Sequence, residues 1–310
     1  MKTHHKGIHH ITAMAGDAQR NAEFYVQQLG MRLVKKSVNQ DDPGTYHLFY
    51  GNADGDPGSG LTFFPWPMAA QGKPGVGEAV SVGLAVPSGS MGYWAERFSE
   101  LGIDFDTPEE PFGQSTFRFK DPDLMQLELV FDEKVDSLPA WSHGSVPEDY
   151  GIRGFWGTTL RLQEADPTAR VLKEVFEFDL TAEVDNRQLY TTDAPFGSSV
   201  IIETSEYKHT PNGRGTIHHV AFRASDDDEL AELRERVLQL GLHPTDFIDR
   251  HWFHSVYFRS PGGVLFEIAT DGPGYDVDEA ADRLGQKLIL PPWLEPQREL
   301  IERRLPEIIL

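Results

Sequence analysis

An apolar, strand-like segment recurs four times along the 310-residue chain, at intervals of about 60 to 75 residues. The four segments are IHHITAM (8–14), AVSVGLAVP (79–87), GFWGTTLRL (154–162) and TIHHVAFRA (216–224). Each is followed by a helical pattern and then by short apolar or alternating runs that Gly, Pro or Asp interrupt. Self-similarity at a fixed period indicates internal duplication. The sequence therefore predicts an α+β fold of four βαβββ modules.

The first and the last of these segments each carry two adjacent histidines, His9 and His10 in one and His218 and His219 in the other. When the modules are superposed on their strand patterns, His10 and His219 take the same position. Because neighbouring side chains of a strand point to opposite faces of the sheet, only one histidine of each pair is expected on a given face. We therefore predict that His10 and His219 act together.

Glu267, in the last strand of the fourth module (VLFEIATD), completes a metal-binding set with His10 and His219. A carboxylate within an apolar run costs free energy to bury unless a cation or a hydrogen-bond donor compensates it. Two imidazoles and one carboxylate form the set that binds non-haem Fe(II) in oxygenases, where coordination positions stay open. The sequence predicts one Fe(II) per chain at this site, with Mn(II) as the alternative ion.

This set requires modules one and four to pair in space although they lie at opposite ends of the chain, and it leaves modules two and three to pair with each other. Superposing GLTFFPW on GVLFEIA places Phe64 at the position of Glu267, so one corner of the site cannot bind metal. Modules two and three carry about Val82 and Gly157 on their first strands and Glu128 and Glu203 on their last strands. Two carboxylates without histidine make a poor Fe(II) site, so we expect this second site to be structural.

Along the chain, the modules divide into an N-terminal pair (residues 1–145), a C-terminal pair (146–272) and a tail (273–310). The tail includes LPPWLEPQRELIERRLPEI at 290–308, which predicts a turn and a short helix with apolar Leu300, Ile301 and Leu305. Because a C-terminal helix usually docks to bury apolar surface, we expect the tail to cover a sheet.

Charge and composition exclude several classes of function. The net charge of -21 and the pI near 4.9 leave no basic patch for nucleic acid. The chain has no cysteine, so a metal site must use histidine and carboxylate. No run approaches the roughly 18 apolar residues that span a membrane, and the N-terminus lacks an apolar signal segment. We expect a cytoplasmic protein without membrane or nucleic-acid partners; a homo-oligomer is compatible with the sequence.

Five segments together resemble the vicinal oxygen chelate superfamily: GIHHIT, VNQDDPGTYHLFYG, LTFFPW, IHHVAFR and DRHWFHSVYFRSPGGVLFEIATD. Within it they are similar to the iron-dependent ring-cleaving dioxygenases of hydroquinones and related quinols. The resemblance spans nearly the whole chain and is most specific at residues 249–271. It implies two paired-module domains that curl into metal-holding cups, a small dihydroxylated aromatic substrate, and dioxygen.

The resemblance also implies roles for residues around the metal. Arg250 and Tyr257 match the residues that line the substrate side of the iron in these dioxygenases, and His9, Thr12 and His218 match the polar residues that flank the ligands. Ring cleavage needs a donor that orients or protonates an oxygen-bearing intermediate, which suits Tyr257 and Arg250. His218 is the candidate acid or base, because the ordinary pKa of histidine lies near neutrality.

Two other functions fit the same modules. A metal-dependent isomerase or lyase of the glyoxalase type would be favoured by a fourth protein ligand, and Phe64 at the fourth corner counts against it. A non-catalytic protein that binds a small aromatic compound has no need of three metal ligands, so the intact set counts against that function.

Overall fold

The structure, a computed structural model, describes residues 7–106, 112–206 and 211–310. Module one comprises β1 (Ile8–Ala15), α1 (Ala18–Ala22), β2 (Arg32–Asn39), β3 (Asp42–Gly51) and β4 (Gly60–Pro65). Helix α1 begins after Asp17, whose side chain accepts a hydrogen bond from the Arg20 N–H at 2.8 Å, and it continues as a π-helical segment over Glu23–Gln28. An N-terminal carboxylate cap of this kind satisfies one of the unpaired amides of the first turn.

Module two comprises β5 (Glu78–Pro87), α2 (Met91–Leu101), β6 (Thr116–Lys120) and β7 (Gln126–Asp132). Gly102 follows α2 with a φ of 66°, the left-handed conformation that commonly ends a helix. Among the described residues this module has two strands after its helix instead of three. A single bridge between Phe105 and Phe119 stands where the third strand was expected.

Modules three and four keep the full predicted order. Module three comprises β8 (Gly154–Leu162), α3 (Asp166–Glu174), β9 (Asp179–Val184), β10 (Arg187–Thr191) and β11 (Ser199–Thr204). Module four comprises β12 (Ile217–Ala224), α4 (Asp227–Gln239), β13 (Ile248–Asp249), β14 (Phe253–Arg259) and β15 (Leu265–Pro273). Phe176, which follows α3, stacks on Phe222 of β12 with ring centroids 3.9 Å apart, so modules three and four share apolar packing.

The strands form two sheets, and each sheet joins two modules. The eight-stranded sheet has the order β13-β14-β15-β12-β1-β4-β3-β2, and the seven-stranded sheet has the order β6-β7-β5-β8-β11-β10-β9. The first strands of modules one and four, β1 and β12, lie side by side and antiparallel. The predicted pairing of module one with four and of two with three is therefore present, and each half of the chain gives one module to each sheet.

The tail packs back on module one. A short helix, α5 (Arg298–Glu302), follows a 3-10 turn, and Leu290, Leu294 and Ile301 bury their side chains against Val38 of β2. As expected, this segment covers apolar surface. No helix in the described parts of the chain is long and apolar enough to cross a membrane.

The same tail neutralises a buried cation. Lys35 of β2 is fully buried, and its Nζ lies 2.6 Å from a carboxylate oxygen of both Asp278 and Glu279. Asp278 also accepts a hydrogen bond from the Trp252 indole at 2.9 Å, and its carboxylate lies 2.9 Å from His251 Nε2. The tail thus fixes the segment between β13 and β14.

Candidate metal centre

Three side chains from β1, β12 and β15 meet at the middle of the eight-stranded sheet. The Nε2 atoms of His10 and His219 lie 3.3 Å apart, and Glu267 Oε2 lies 3.2 Å from the first and 2.9 Å from the second. Within the described residues, these three are the one group of histidine and acidic side chains close enough to hold an ion together. Ligand atoms at about 2.1 Å from one ion, and at right angles to each other, lie about 3 Å apart. The triangle fits one face of an octahedral metal site.

The protonation states around this triangle suit a divalent cation. Burial opposes ionisation of Glu267, but His10 and His219 outweigh it and hold its pKa well below the usual range. Burial lowers the pKa of His219, so its imidazole is neutral near pH 7. Glu267 Oε2 is buried and, among the described residues, receives no hydrogen bond of good geometry. An ionised carboxylate and a neutral imidazole each keep an electron pair that a metal ion can accept.

β-Bulges place both histidines of each pair on the same side. Ile8 pairs with Phe222 while His10 pairs with the adjacent Ala221, which makes His9 the extra residue of β1. On the partner strand, Thr12 pairs with His219 and Ala13 with Ile217, which makes His218 the extra residue of β12. A bulge re-aims a side chain and interrupts strict alternation. The expectation that the two rings of a pair face opposite ways is therefore wrong.

Each bulged histidine instead contacts the ring of its neighbour. The Nδ1 atoms of His9 and His10 lie 2.9 Å apart, and His9 Nε2 donates to the Thr270 carbonyl at 3.1 Å. Burial lowers the pKa of His9 well below its ordinary value, so the ring is neutral and its Nδ1 accepts the hydrogen bond from His10. With its Nδ1 donating to His9, His10 directs Nε2 towards Glu267 and the metal position.

His218 and His219 make the same Nδ1–Nδ1 contact as His9 and His10, but His218 faces the adjoining cavity. The Nδ1 atoms of His218 and His219 lie 2.8 Å apart, and burial lowers the pKa of His218 to about 3. When His219 binds a cation through Nε2, its Nδ1–H donates to His218, and the proton of neutral His218 then resides on Nε2. His218 lines the adjoining cavity, so it presents a donor there.

The fourth corner of the centre holds Thr62, not Phe64. Thr62 pairs with Thr12, two residues beyond His10, just as Glu267 pairs with Ala221, two residues beyond His219. The sequence superposition was therefore wrong by two residues. Its conclusion that this corner lacks a strong metal ligand holds, because the corner offers only a threonine hydroxyl.

The residues that support the two corners also correspond. Ser255 donates a short hydrogen bond to Glu267 Oε1, and at the matching place His47 Nε2 lies 2.9 Å from Thr62 Oγ1. Thr62 Oγ1 in turn lies 2.8 Å from Thr12 Oγ1. Thr12 thus contacts the site through Thr62, and His47, which has no histidine counterpart in another module to mark it, belongs to the centre.

A cavity of about 310 Å³ opens directly above the metal triangle. Its apolar walls come from aromatic side chains: Phe49, Phe64, Trp66, Trp252 and Phe253. Its polar lining comes from residues on five strands and two connecting segments: His10, Asn39, Gln40, Asp41, His47, His218, His219, Arg250 and Tyr257. An aromatic slot with a few convergent polar groups is typical of a site for a small ring compound.

These features recur in a known group of proteins. A family model described as "Glyoxalase/Bleomycin resistance protein/Dioxygenase superfamily" matches residues 7–129 and 158–268. The chain belongs to this superfamily. The family and the paired-module fold predicted from the sequence are confirmed.

Relatives in this superfamily match almost the whole chain. The chain is 39% identical over 299 residues to a Bacillus subtilis (strain 168) protein named "Putative ring-cleaving dioxygenase MhqO", across 96% of this chain and 95% of that protein. It is 31% identical over 315 residues to the "Chlorohydroquinone/hydroquinone 1,2-dioxygenase" of Sphingobium indicum, across 98% and 97% of the two chains. A crystal structure titled "putative dioxygenase from Bacillus subtilis subsp. subtilis str. 168" has a TM-score of 0.95 at 38% identity and 98% coverage of both chains.

Two cavity residues predicted from the superfamily resemblance contact each other. Arg250 Nε donates to the Tyr257 hydroxyl at 3.3 Å, and an Arg250 Nη2 donates to Asp41 at 3.2 Å. Burial raises the pKa of Tyr257, so it stays a phenol throughout the physiological range. Since its oxygen already accepts from Arg250, its own proton remains to be donated. Asp41, in a segment that the sequence indicates only as a turn, orients Arg250.

The seven-stranded sheet forms the second cup that the superfamily resemblance implies. Among the described residues, this cup has no set of side chains that could bind metal. In this sheet Gly83 takes the position of Ala221. It pairs with Gly157 on one side, as Ala221 pairs with His10. It pairs with Glu128 on the other side, as Ala221 pairs with Glu267. The positions of His10, His219, Glu267 and Thr62 are therefore taken by Gly157, Ser81, Glu128 and Ile201. Ser81 replaces the predicted Val82, and Glu203 lies two residues from the corner where it was expected. One carboxylate with a glycine and a serine cannot hold Fe(II).

Proposed function

We propose that this protein is an Fe(II)-dependent dioxygenase that opens the ring of a hydroquinone or a related dihydroxylated aromatic. The observation that carries the proposal is the buried triangle of His10, His219 and Glu267 beneath an aromatic cavity, with only Thr62 at the fourth corner. The names of the relatives, which match along nearly the full chain, support the same reaction.

His10, His219 and Glu267 would hold the iron. When bound, iron supplies a redox-active centre that brings a phenolate and dioxygen together on its open positions. The carboxylate of Glu267, fixed by Ser255, gives one negative charge to offset the two positive charges of the ion. His9 and His218 orient the two imidazole ligands through their Nδ1 contacts.

The other polar residues act on substrate. A dihydroxylated ring fits between the aromatic walls, where Tyr257 donates a hydrogen bond and Arg250 holds that phenol in place. Neutral His218 offers a second hydrogen-bond donor, from β12, to the reacting oxygen, because its lowered pKa keeps it a neutral donor rather than an acid–base group. The apolar walls exclude water, which strengthens these polar contacts.

A glyoxalase-type isomerase and a non-catalytic aromatic-binding protein remain as alternatives. A metal-dependent isomerase of this fold would be expected to use a further strong ligand, and Thr62 does not supply one. A binding protein without catalysis would not need the buried carboxylate and two imidazoles, which are costly to bury without a cation.

The test is anaerobic loading with Fe(II), followed by measurement of dioxygen uptake with hydroquinones and with catechols. Uptake with hydroquinones and release of a ring-opened product supports the proposal, and uptake with catechols alone would change its substrate class. His219→Ala, loaded in the same way, is the control for metal-independent oxidation. A wild-type protein that binds iron but consumes no dioxygen with either class contradicts the proposal.

A further inference from the structure

The second cup encloses a cavity slightly larger than the one above the metal triangle. It measures about 330 Å³, against about 310 Å³ for the first. Its floor includes Trp156 and Ile201, and arginines stand around it where the first cup has aromatic and imidazole side chains. A cavity of this size can take a ring-sized compound, although the cup lacks the metal ligands of the first.

Strand register shows which residues replaced which. Arg118 pairs with Glu128 as Tyr257 pairs with Glu267, so a guanidinium stands at the position of the phenol. Arg187 pairs with Glu203, and it lies two residues before the residue of β10 that pairs with Ile201. In the first cup His47 lies two residues before the residue of β3 that pairs with Thr62, so Arg187 takes the position of His47. Where the first cup offers neutral donors around a metal, the second offers fixed cations.

These cations exceed the carboxylates that face them. Arg118 Nε lies 3.4 Å from Glu128 Oε1, which forms one balanced pair. Glu203 is shared, since its two oxygens lie 2.7 Å from Arg161 Nε and 3.2 Å from Arg187 Nη2. Lys120 also lines the cavity, so among the described lining residues four cations face two carboxylates, in a chain whose net charge is -21.

Arg161 and Arg187 are the natural recognition pair. Both side chains are about 30% exposed, at 28% and 30%, and they converge on one carboxylate from two different strands, β8 and β10. A planar guanidinium presents several N–H groups in a fork that matches a carboxylate, and one shared glutamate leaves excess positive charge between them. Trp156 provides an aromatic surface against which a flat ligand can pack.

We propose that the second cup binds a small planar carboxylate, a ring-sized monoanion held by Arg161 and Arg187 and packed against Trp156. An inorganic anion would leave most of the 330 Å³ unfilled and the apolar floor uncovered. A neutral phenol would leave the excess positive charge uncompensated. This site is separate from the metal triangle, and it does not depend on whether that triangle opens aromatic rings.

Calorimetric titration of the full-length, metal-loaded protein tests the proposal with three probes. Sodium benzoate represents intact aromatic acids, sodium sorbate represents open-chain unsaturated acids, and benzyl alcohol is a neutral ligand of similar size. We expect one or both acids to bind at one equivalent per chain and benzyl alcohol to bind at least about tenfold more weakly. Binding of benzoate alone assigns the cup to aromatic acids, and binding of sorbate alone assigns it to ring-opened acids.

Variants locate the binding site. Arg187→Met and Arg161→Met should each weaken acid binding at least about tenfold, since each removes one arm of the recognition pair. Arg170→Met, which makes the same change on the exposed face of α3, should leave the affinity unchanged. Unchanged thermal unfolding midpoints will show that the cup variants remain folded. No binding of either acid, equal binding of benzyl alcohol, or loss of binding in His219→Ala but not in Arg187→Met overturns the proposal.

Discussion

Thr62 occupies on β4 the position that Glu267 occupies on β15. Each pairs with the residue two places beyond a central histidine, His10 for Thr62 and His219 for Glu267. The two halves of the centre therefore follow one plan, but only one of them carries a carboxylate. The side of the metal centre formed by module one therefore has no strong protein ligand. On that side a bound metal ion would have a coordination position open to a ligand from solution.

Placing a carboxylate at this corner should close the site. In Thr62→Glu we expect iron to be retained at one equivalent, because a fourth ligand is added, while dioxygen uptake falls by about 100-fold or more through loss of an open position. Metal analysis and an oxygen electrode measure the two effects. Thr62→Gln is the matched control, since the amide has the same size but no charge and should leave more activity. Wild-type turnover in Thr62→Glu would mean that this corner is not where substrate or dioxygen binds.

The two histidines of each pair should respond differently to removal. His10→Ala and His219→Ala each delete one of three ligands and should lose iron and activity together. His9→Ala and His218→Ala delete the partners of those ligands, for which losses of about 10- to 100-fold in affinity or activity are usual. Iron bound after identical anaerobic loading decides the matter. The assignment is wrong if the second pair of variants loses iron while the first pair keeps it.

Tyr257 should affect turnover more than iron content. Tyr257→Phe removes the hydroxyl that Arg250 fixes at 3.3 Å, and loss of one placed donor costs about 100-fold in turnover at comparable sites. Iron content should stay near the wild-type value, because the ring of Tyr257 is not a ligand. An iron-free Tyr257→Phe protein would instead show that this residue supports the triangle.

Acid should destabilise the metal-free protein well above the pH at which carboxylates titrate. Burial lowers the pKa of four histidines, His9, His47, His218 and His219, and for His218 the value is about 3. Below about pH 6.5 the unfolded chain binds protons that the folded chain does not, so the free energy of unfolding falls as pH falls. Each such histidine contributes a slope of about 1.4 kcal/mol per pH unit.

Urea unfolding of the metal-free protein at pH 7.5, 6.5 and 5.5 measures this slope. His47→Gln removes one of the four titrating groups from a position outside the metal triangle. The free energy of unfolding should therefore fall by about 1.4 kcal/mol less between pH 7.5 and 5.5 than in the wild type, because an unfolded-state histidine becomes protonated across this range. A free energy of unfolding that stays constant between pH 7.5 and 5.5 would show that these rings are protonated in the folded state.

The modules, their pairing and the set of His10, His219 and Glu267 could be predicted because each depends on a repeated pattern. An apolar strand followed by an amphipathic helix recurs at a fixed spacing, and the paired histidines mark equivalent strands. Once modules one and four are placed side by side, the position of Glu267 follows from the alternation of residues along a strand.

Exact strand register could not be predicted in the same way. Strand β4 is buried along its whole length, so its apolar pattern does not show which face each residue takes, and Phe64 was placed where Thr62 lies. The bulges at His9 and His218 each add one unpaired residue, which no local pattern reveals. His47 was missed because its counterpart in module four is Ser255, so a search for repeated histidines passes over it.

The pairing of β1 with β12 makes the metal centre depend on two distant parts of the sequence. His10 belongs to module one, but its partners, His219 and Glu267, belong to module four. During synthesis, β1 therefore has one edge unpaired until β12, with modules two and three between them, has been made. A chain that stops before Glu267 lacks at least one of the three side chains even if its remaining modules fold. Retention of a metal ion thus reports whether modules one and four are joined.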